Sequence, residues 1–381
     1  MQIAKSPVLS IDVVYQDSRI QLSPRGPLAA VARPIVERIN RVFADEKPVL
    51  AEADRIIFST WIPPAPSRAF DRMISAQIGA IIRRPVPDQF SIAIFKGCPN
   101  RCIHCAAPSR QGEILEEGVI NRAIDQALEL GSYMITFDGG EPMLRRELPA
   151  MAARVDDRAI AVSFTSGYGL TGERARELKQ AGLYAVRVSI DSPDREGHDR
   201  FRGREGAFDD ALQGINNALD AGLMVDLFMV VSPHNIDRLE EAHALAGELG
   251  VHELSLYDII AVGNWASHED EVLSRNDVRH LEEFHRQKNR SPAGPRVTAF
   301  PYLLGREMFG CFAGRRWIHV DGSGEAIPCA YLPMSFGNIK EKSLPQIWKE
   351  MSSYRWFSGR HDCLMKDPEF RRAHRQVVDG Q

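Results

Sequence analysis

The chain has 381 residues, 44% hydrophobic and 26% charged, the balance of a globular protein with a sizeable core. Its 47 basic and 51 acidic side chains leave a formal charge of −4, so composition gives no general attraction to nucleic acid. No apolar run approaches the roughly 18–20 residues that span a bilayer, and MQIAKSPVLS lacks a signal-peptide core; the expected location is the cytoplasm.

Residues 1–89 read as a helical extension. One amphipathic helix is expected from the spacing of Leu28, Val31, Ile35, Val36, Ile39, Val42 and Phe43. After the breaker IPPAP (62–66), a second presents Phe70, Met73, Ile74, Ile78, Ile81 and Ile82, flanked by Arg68, Arg72, Arg83 and Arg84. An apolar face with basic flanks is compatible with a membrane surface, although packing on its own domain is the expectation.

From residue 90 strands and helices alternate. The strand-like runs are SIAIF (91–95), YMITF (133–137), AIAVSF (159–164), YAVRVSI (184–190), VDLFMVV (225–231) and ELSLYDII (253–260), with helical segments between them. Six such units predict a parallel sheet in a partial (β/α)6 TIM-like barrel over residues 90–295. No GxGxxG follows the first strand, which argues against a doubly wound dinucleotide fold. After residue 295 the pattern changes. WIHVDGSGEAIPCAY predicts a hairpin and SLPQIWKEM a short helix, making residues 296–381 a small α+β module with a polar tail.

The six cysteines fall into two triads, Cys98, Cys102 and Cys105, then Cys311, Cys329 and Cys363. Core cysteines would be scattered, so two metal centres are expected. The first triad, C-x3-C-x2-C, leaves the first barrel strand, where loops form the catalytic face. Three thiolates on one loop can ligate three irons of a cubane cluster and leave the fourth free. With His104 as a fourth ligand, zinc is the other chemical option.

These cysteines, followed by FDGGEP (137–142), TSG (165–167) and VSIDSP (188–193) at successive strand ends, resemble the radical S-adenosylmethionine (radical SAM) superfamily over roughly residues 90–260. The resemblance implies a [4Fe–4S] cluster on Cys98, Cys102 and Cys105, its open iron chelated by S-adenosylmethionine (SAM). It further implies that Gly139, Gly140 and Glu141 line the methionine amino group. Ser189, with Ser166 and Arg202, would contact its carboxylate or ribose, and Asp191 belongs to the same pocket. His104 stands where an aromatic residue is usual, and Ser166 where Asn often stands. A ferredoxin- or flavodoxin-type donor would supply the electron.

GCFAGRRW, the hairpin ending in Cys329, the turn GNI (337–339), LPQIW and Cys363 resemble the SPASM/twitch extensions of that superfamily. Three cysteines allow at most one auxiliary [4Fe–4S] cluster. Lys366 stands where the second cysteine of a closing CxxC would be. Either a residue such as His361 or Asp362 completes the ligand set, or one iron is open. The implied activity is hydrogen abstraction from a C–H bond of a small molecule, lipid or peptide, leading to oxidation, epimerisation or bond formation. Modification of a ribosomal peptide is the alternative, and a metal-stabilised binding protein the non-enzymatic one. Among other residues, Tyr257, Asp258, Asn264 and Trp265 follow the sixth strand and are placed to face a substrate, whereas His198, His234, His252 and His268 read as structural or exposed.

Overall fold

A computed structural model describes all residues except 1, 4–7, 9, 17–18, 44–45, 53, 82–85, 108–113 and 379–381. Its centre is a parallel sheet of β6 (Gln89–Phe95), β7 (Met134–Gly139), β8 (Ile160–Thr165), β9 (Leu183–Ser189), β10 (Met224–Val231), β11 (Glu253–Asp258) and β12 (Arg296–Ala299). The six expected strand runs fall on β6 to β11. The short β12, RVTA, is an addition: it pairs parallel to β11 immediately after the expected end of the barrel at residue 295. The first hairpin strand, β13 (Trp317–Val320), runs parallel to β6 and carries the antiparallel β14 (Ala326–Ile327) on its far side. Among the described residues the sheet does not close, and β12 and β14 are its edges.

The strands read as continuous apolar runs because both faces are covered. Ile92, Ile94, Ile135, Phe137, Val186, Val188, Leu227 and Leu254 pack outward into the helix layer. That layer includes α3 (Glu117–Leu130), α7 (Ala207–Asp220) and α9 (Arg275–Arg290). The alternate residues face inward, and many are polar: Ser91, Thr136, Arg187, Asp226, Glu253 and Ser255 are all buried. Among the described residues, no helix is long and apolar enough to cross a membrane.

Ahead of the barrel, β1 (Gln2–Ile3), β2 (Ser10–Gln16) and β3 (Arg19–Arg25) form an antiparallel sheet that precedes the two expected helices, α1 (Ala29–Phe43) and α2 (Arg68–Ile81). Val36 is buried with Val13, Leu22, Ile56, Phe58, Ala65 and Phe70, but Leu28 and Val31 of the expected apolar face are 46% and 73% exposed. Ile82, Arg83 and Arg84, and the side chains of Ile35, Ile39, Val42, Phe43, Ile78 and Ile81, lie outside the described residues. Arg68 pairs with Asp157 at 2.9 Å and Arg72 donates to the carbonyl of Leu128, tying α2 to the barrel.

The described residues between 46 and 61 plug the amino-terminal end of the barrel. Glu253, fully buried, accepts from the Ser59 hydroxyl, from both the backbone and hydroxyl of Thr60, and from Arg296. Glu46 pairs with Arg296 and with His285, and Lys47 donates to the carbonyls of Ser291, Ala293 and Gly294. Trp61, half-buried, extends the same network. Its indole N–H donates to Asp226 at 2.9 Å and Ser255 at 2.8 Å, and the Arg187 guanidinium lies 3.5 Å from its ring centroid. Burial pulls Arg187 down to about 10, against the opposing charges of Asp226 and Glu253.

Candidate active site

The loop leaving β6 carries Cys98, Cys102 and Cys105, with Cys102 buried and the others half-buried. Backbone bonds hold it in place: Arg101 N–H donates to the Arg202 carbonyl at 2.8 Å and Ile103 N–H to Phe201 at 3.0 Å. Asn264, after β11, clamps the other side. Its backbone N–H donates to the Cys105 carbonyl at 3.0 Å and its side chain to that of Cys102 at 2.9 Å. The His104 ring lies 4.6 Å from that of Phe201, packing as an aromatic residue would. Burial pulls His104 down to about 4, so it is neutral at pH 7.

Beneath this loop Arg202 forms an ion pair with Asp191 at 2.5 Å and points a second nitrogen at Cys102 Sγ, 3.7 Å away. Burial opposes the charge on Asp191, but Arg202, with His104, His198 and the Val230 N–H acting in the same direction, holds the carboxyl below its usual range. Asp191 also accepts from Val230 N–H at 2.9 Å, while its own N–H donates to His198 Nδ1 and its carbonyl accepts from Asn235. His198 is thus a support under the Asp191 turn, neutral because burial pulls it down to about 4.

The turn after β7 runs directly against the cysteine loop. Gly140 N–H donates to the Phe95 carbonyl at 2.6 Å and Glu141 N–H to Gly97 at 2.8 Å. Gly139 has φ +127°, and a Cβ on Gly140 would sit 2.2 Å from the Gly97 oxygen. Only glycines permit that approach. The Glu141 carboxylate is fully buried and takes four donors: the Thr165 hydroxyl, the Ser166 backbone and hydroxyl, and Met143 N–H. Glu141 and Ser166 therefore form one strut between the ends of β7 and β8. Among the described residues Ser189, half-buried at the end of β9, joins neither this strut nor the Arg202 pair.

Near the carboxyl end of β11 the thiols of Cys311, Cys329 and Cys363 lie close enough to one another to interact. Burial, with Cys363 beside it, pushes Cys329 up to about 12. Cys311 N–H donates to the His361 carbonyl at 2.8 Å.

The radical SAM superfamily model matches residues 92–246, and the SPASM model, an iron–sulfur cluster-binding domain, matches residues 311–372. Together they span the strand-end loops and both cysteine triads. The chain carries a radical SAM domain followed by a SPASM domain. The AdoMet-dependent heme synthase of Nitratidesulfovibrio vulgaris is 26% identical over 72% of this chain and 82% of its own. The PqqA peptide cyclase of Granulibacter bethesdensis is 27% identical over 69% and 74%. In fold the chain resembles Streptococcus suis SuiB bound to its precursor peptide SuiA, with a TM-score of 0.59 and 12% identity over 93% of this chain and 91% of that one.

A radical SAM enzyme with a SPASM domain uses a [4Fe–4S] cluster, SAM and auxiliary iron–sulfur chemistry, and both thiol sites suit such groups. Among the described residues no three His, Cys, Asp or Glu side chains converge closely enough for a single metal ion. A cubane spreads its thiolates further apart. The glycine cradle and the buried Arg202–Asp191 pair complete the first pocket. We expect Gly140→Ala, which drives a methyl into the Gly97 carbonyl, to lower SAM cleavage roughly 10²-fold by displacing the cysteine loop. Anaerobic assay of 5′-deoxyadenosine checks this, with iron content as the control; unchanged cleavage would remove the cradle from the mechanism.

Asn264, which the sequence places to face a substrate, emerges instead as a clamp on the cysteine loop, and its neighbour Trp265 is core. A second group near the site was not legible as functional in the sequence. Inside the barrel, register places Asp138 beside Ala93 of β6, and His319 of β13 beside Ser91. His319 Nδ1 lies 2.7 Å from the Ser91 hydroxyl and 3.6 Å from Asp138. Asp138 adjoins the GGE turn, a position that its sequence neighbours alone could have flagged.

Proposed function

We propose that this enzyme cleaves SAM reductively and removes a hydrogen atom from a substrate C–H bond, with Cys98, Cys102 and Cys105 holding the SAM-binding cluster. The observation that carries this reading is the three-thiol loop set against the Gly139–Gly140 cradle, with Arg202–Asp191 beneath it. All of these lie at the carboxyl ends of parallel strands, where barrel enzymes place their sites. When bound, the [4Fe–4S] cluster and SAM supply one-electron cleavage of the sulfonium and with it a 5′-deoxyadenosyl radical.

The chain's own residues have separate tasks. Arg202 places a fixed positive charge beside Cys102. Glu141 and Ser166 hold the β7 and β8 turns in register, so that the backbone of Gly139 and Gly140 faces the methionine end of SAM. Ser189 and Asp191 border its ribose or carboxylate. The buried interior keeps water from the reacting carbon. On this reading residues 1–89 close the barrel stem, residues 90–295 carry the chemistry, and residues 296–381 hold the auxiliary cluster. A ferredoxin- or flavodoxin-type protein supplies the electron in the cytoplasm.

The net reaction is an oxidation, epimerisation or bond formation on a small molecule of cofactor, lipid or natural-product biosynthesis. Modification of a ribosomal peptide is a second reading. It draws support from the peptide cyclase relative and from a fold likeness to SuiB that extends over 93% of this chain. Anaerobically reconstituted protein should be brown, bind about eight irons per chain, and form 5′-deoxyadenosine with dithionite and SAM. A colourless protein that leaves SAM intact would refute the proposal.

A further inference from the structure

The auxiliary pocket has three thiols, and the structure places a charged pair beside them. The turn Leu364–Lys366 is capped by Cys363, whose carbonyl accepts from Lys366 N–H at 3.0 Å. This turn brings the Lys366 ammonium into an ion pair with Asp258, at the carboxyl end of β11. Both side chains are largely buried, at 24% and 14% exposure. Arg371 fixes the same segment by donating to the carbonyls of Ala261 and Met365. The ion pair lies close enough to Cys363 for its charges to act on the thiol.

Of the two residues named from the sequence for a fourth ligand, Asp362 is engaged elsewhere and His361 is held through one ring nitrogen only. Asp362 is 64% exposed, and its carboxylate accepts from Arg306 N–H at 2.9 Å. His361 bonds Asp362 through Nδ1, although its Nε2 is buried and has no partner among the described residues. On the barrel side stand Tyr331 and Tyr257, 6.4 Å apart, with Trp317 6.5 Å from Tyr331. The pocket therefore borders the barrel interior across its Asp258–Lys366 side.

We infer that the Asp258–Lys366 ion pair takes the place of a fourth cysteine, with Lys366 holding Asp258 away from the metal so that one corner of the auxiliary cluster stays open toward the barrel. That corner would accept an oxygen or nitrogen donor of the substrate. A carboxylate free of such a cation would ligate iron itself, whereas an ion-paired one is occupied. The inference deepens the proposed function and rests on it for the identity of the group held.

The test uses the full chain with Cys98, Cys102 and Cys105 replaced by Ala, so that only the second triad can assemble a cluster. After anaerobic reconstitution about four irons per chain are expected. The reduced protein is then given ¹³C-cyanide and examined by pulsed electron paramagnetic resonance. A ¹³C coupling is expected, retained in Asp258→Asn and lost when Lys366→Cys supplies a fourth thiolate. Failure to take up iron, no coupling, coupling that appears only in Asp258→Asn, or coupling that survives Lys366→Cys would each overturn the inference. So would a protein imidazole coupling that disappears in His361→Ala. SAM cleavage by the unmodified enzyme is measured separately; its persistence would leave the proposed function standing if the open corner failed.

Discussion

Cys102→Ala should abolish 5′-deoxyadenosine formation and lower the iron content from about eight to about four per chain. Cys102 is the buried member of its triad, and its sulfur faces Arg202 at 3.7 Å. Removing it takes away one of three thiolates on a loop that has no fourth cysteine. The backbone bonds to Arg202, Phe201 and Asn264 do not involve the sulfur, so the loop itself should keep its shape. The fold should therefore survive while cleavage is lost, which circular dichroism and the iron count together can establish. Wild-type iron content with normal cleavage in this variant would exclude Cys102 from the cluster.

Trp61→Ala should destabilise the protein by about 3 kcal/mol, the lower end of the range for deleting a large aromatic side chain, because the residue is half-buried. The loss has two parts. The indole fills the barrel stem against Phe300, 4.5 Å away, and Arg187. It also satisfies Asp226, and without it the buried Arg187–Asp226 pair loses both a hydrogen bond and its stacking partner. Trp61→Phe should recover the packing part alone and fall between the two. Chemical denaturation of the reconstituted protein reads the difference, and a Trp61→Ala midpoint equal to wild type would show that residues 46–61 merely lie on the barrel.

The parallel strands were legible because burial on both faces leaves an unbroken apolar run, as in VDLFMVV. β12 was not, because RVTA is short and begins with Arg296, whose burial depends on Glu46 and Glu253 from distant segments. The strands Ser10–Gln16 and Arg19–Arg25 were not read, because the helical spacing of the residues that follow dominates this part of the sequence. The plug was hidden for a different reason: Trp61 stands next to IPPAP, whose prolines mark a break in regular structure but say nothing of where the chain goes.

The cysteine triads and the glycine cradle were legible because their chemistry depends on spacing along the chain. Glu141 shows the limit of such reading. Its sequence neighbours place it at the SAM pocket, whereas its four hydrogen-bond donors show it bracing two strand ends. Lys366 was noted only as a missing cysteine. Its partner Asp258 lies more than a hundred residues away, and only the fold brings them together.

The stem plug also orders events on the ribosome. Thr60 and its acceptor Glu253 are separated by 193 positions. At typical synthesis rates of about 5–20 residues per second, Glu253 emerges roughly 10–40 s after Thr60. During that interval Trp61 has no indentation to fill, and the polar groups of residues 46–61 must remain hydrated or be sheltered by a chaperone. Completion of the barrel therefore waits for its first-made segment to be captured by its last-made strands.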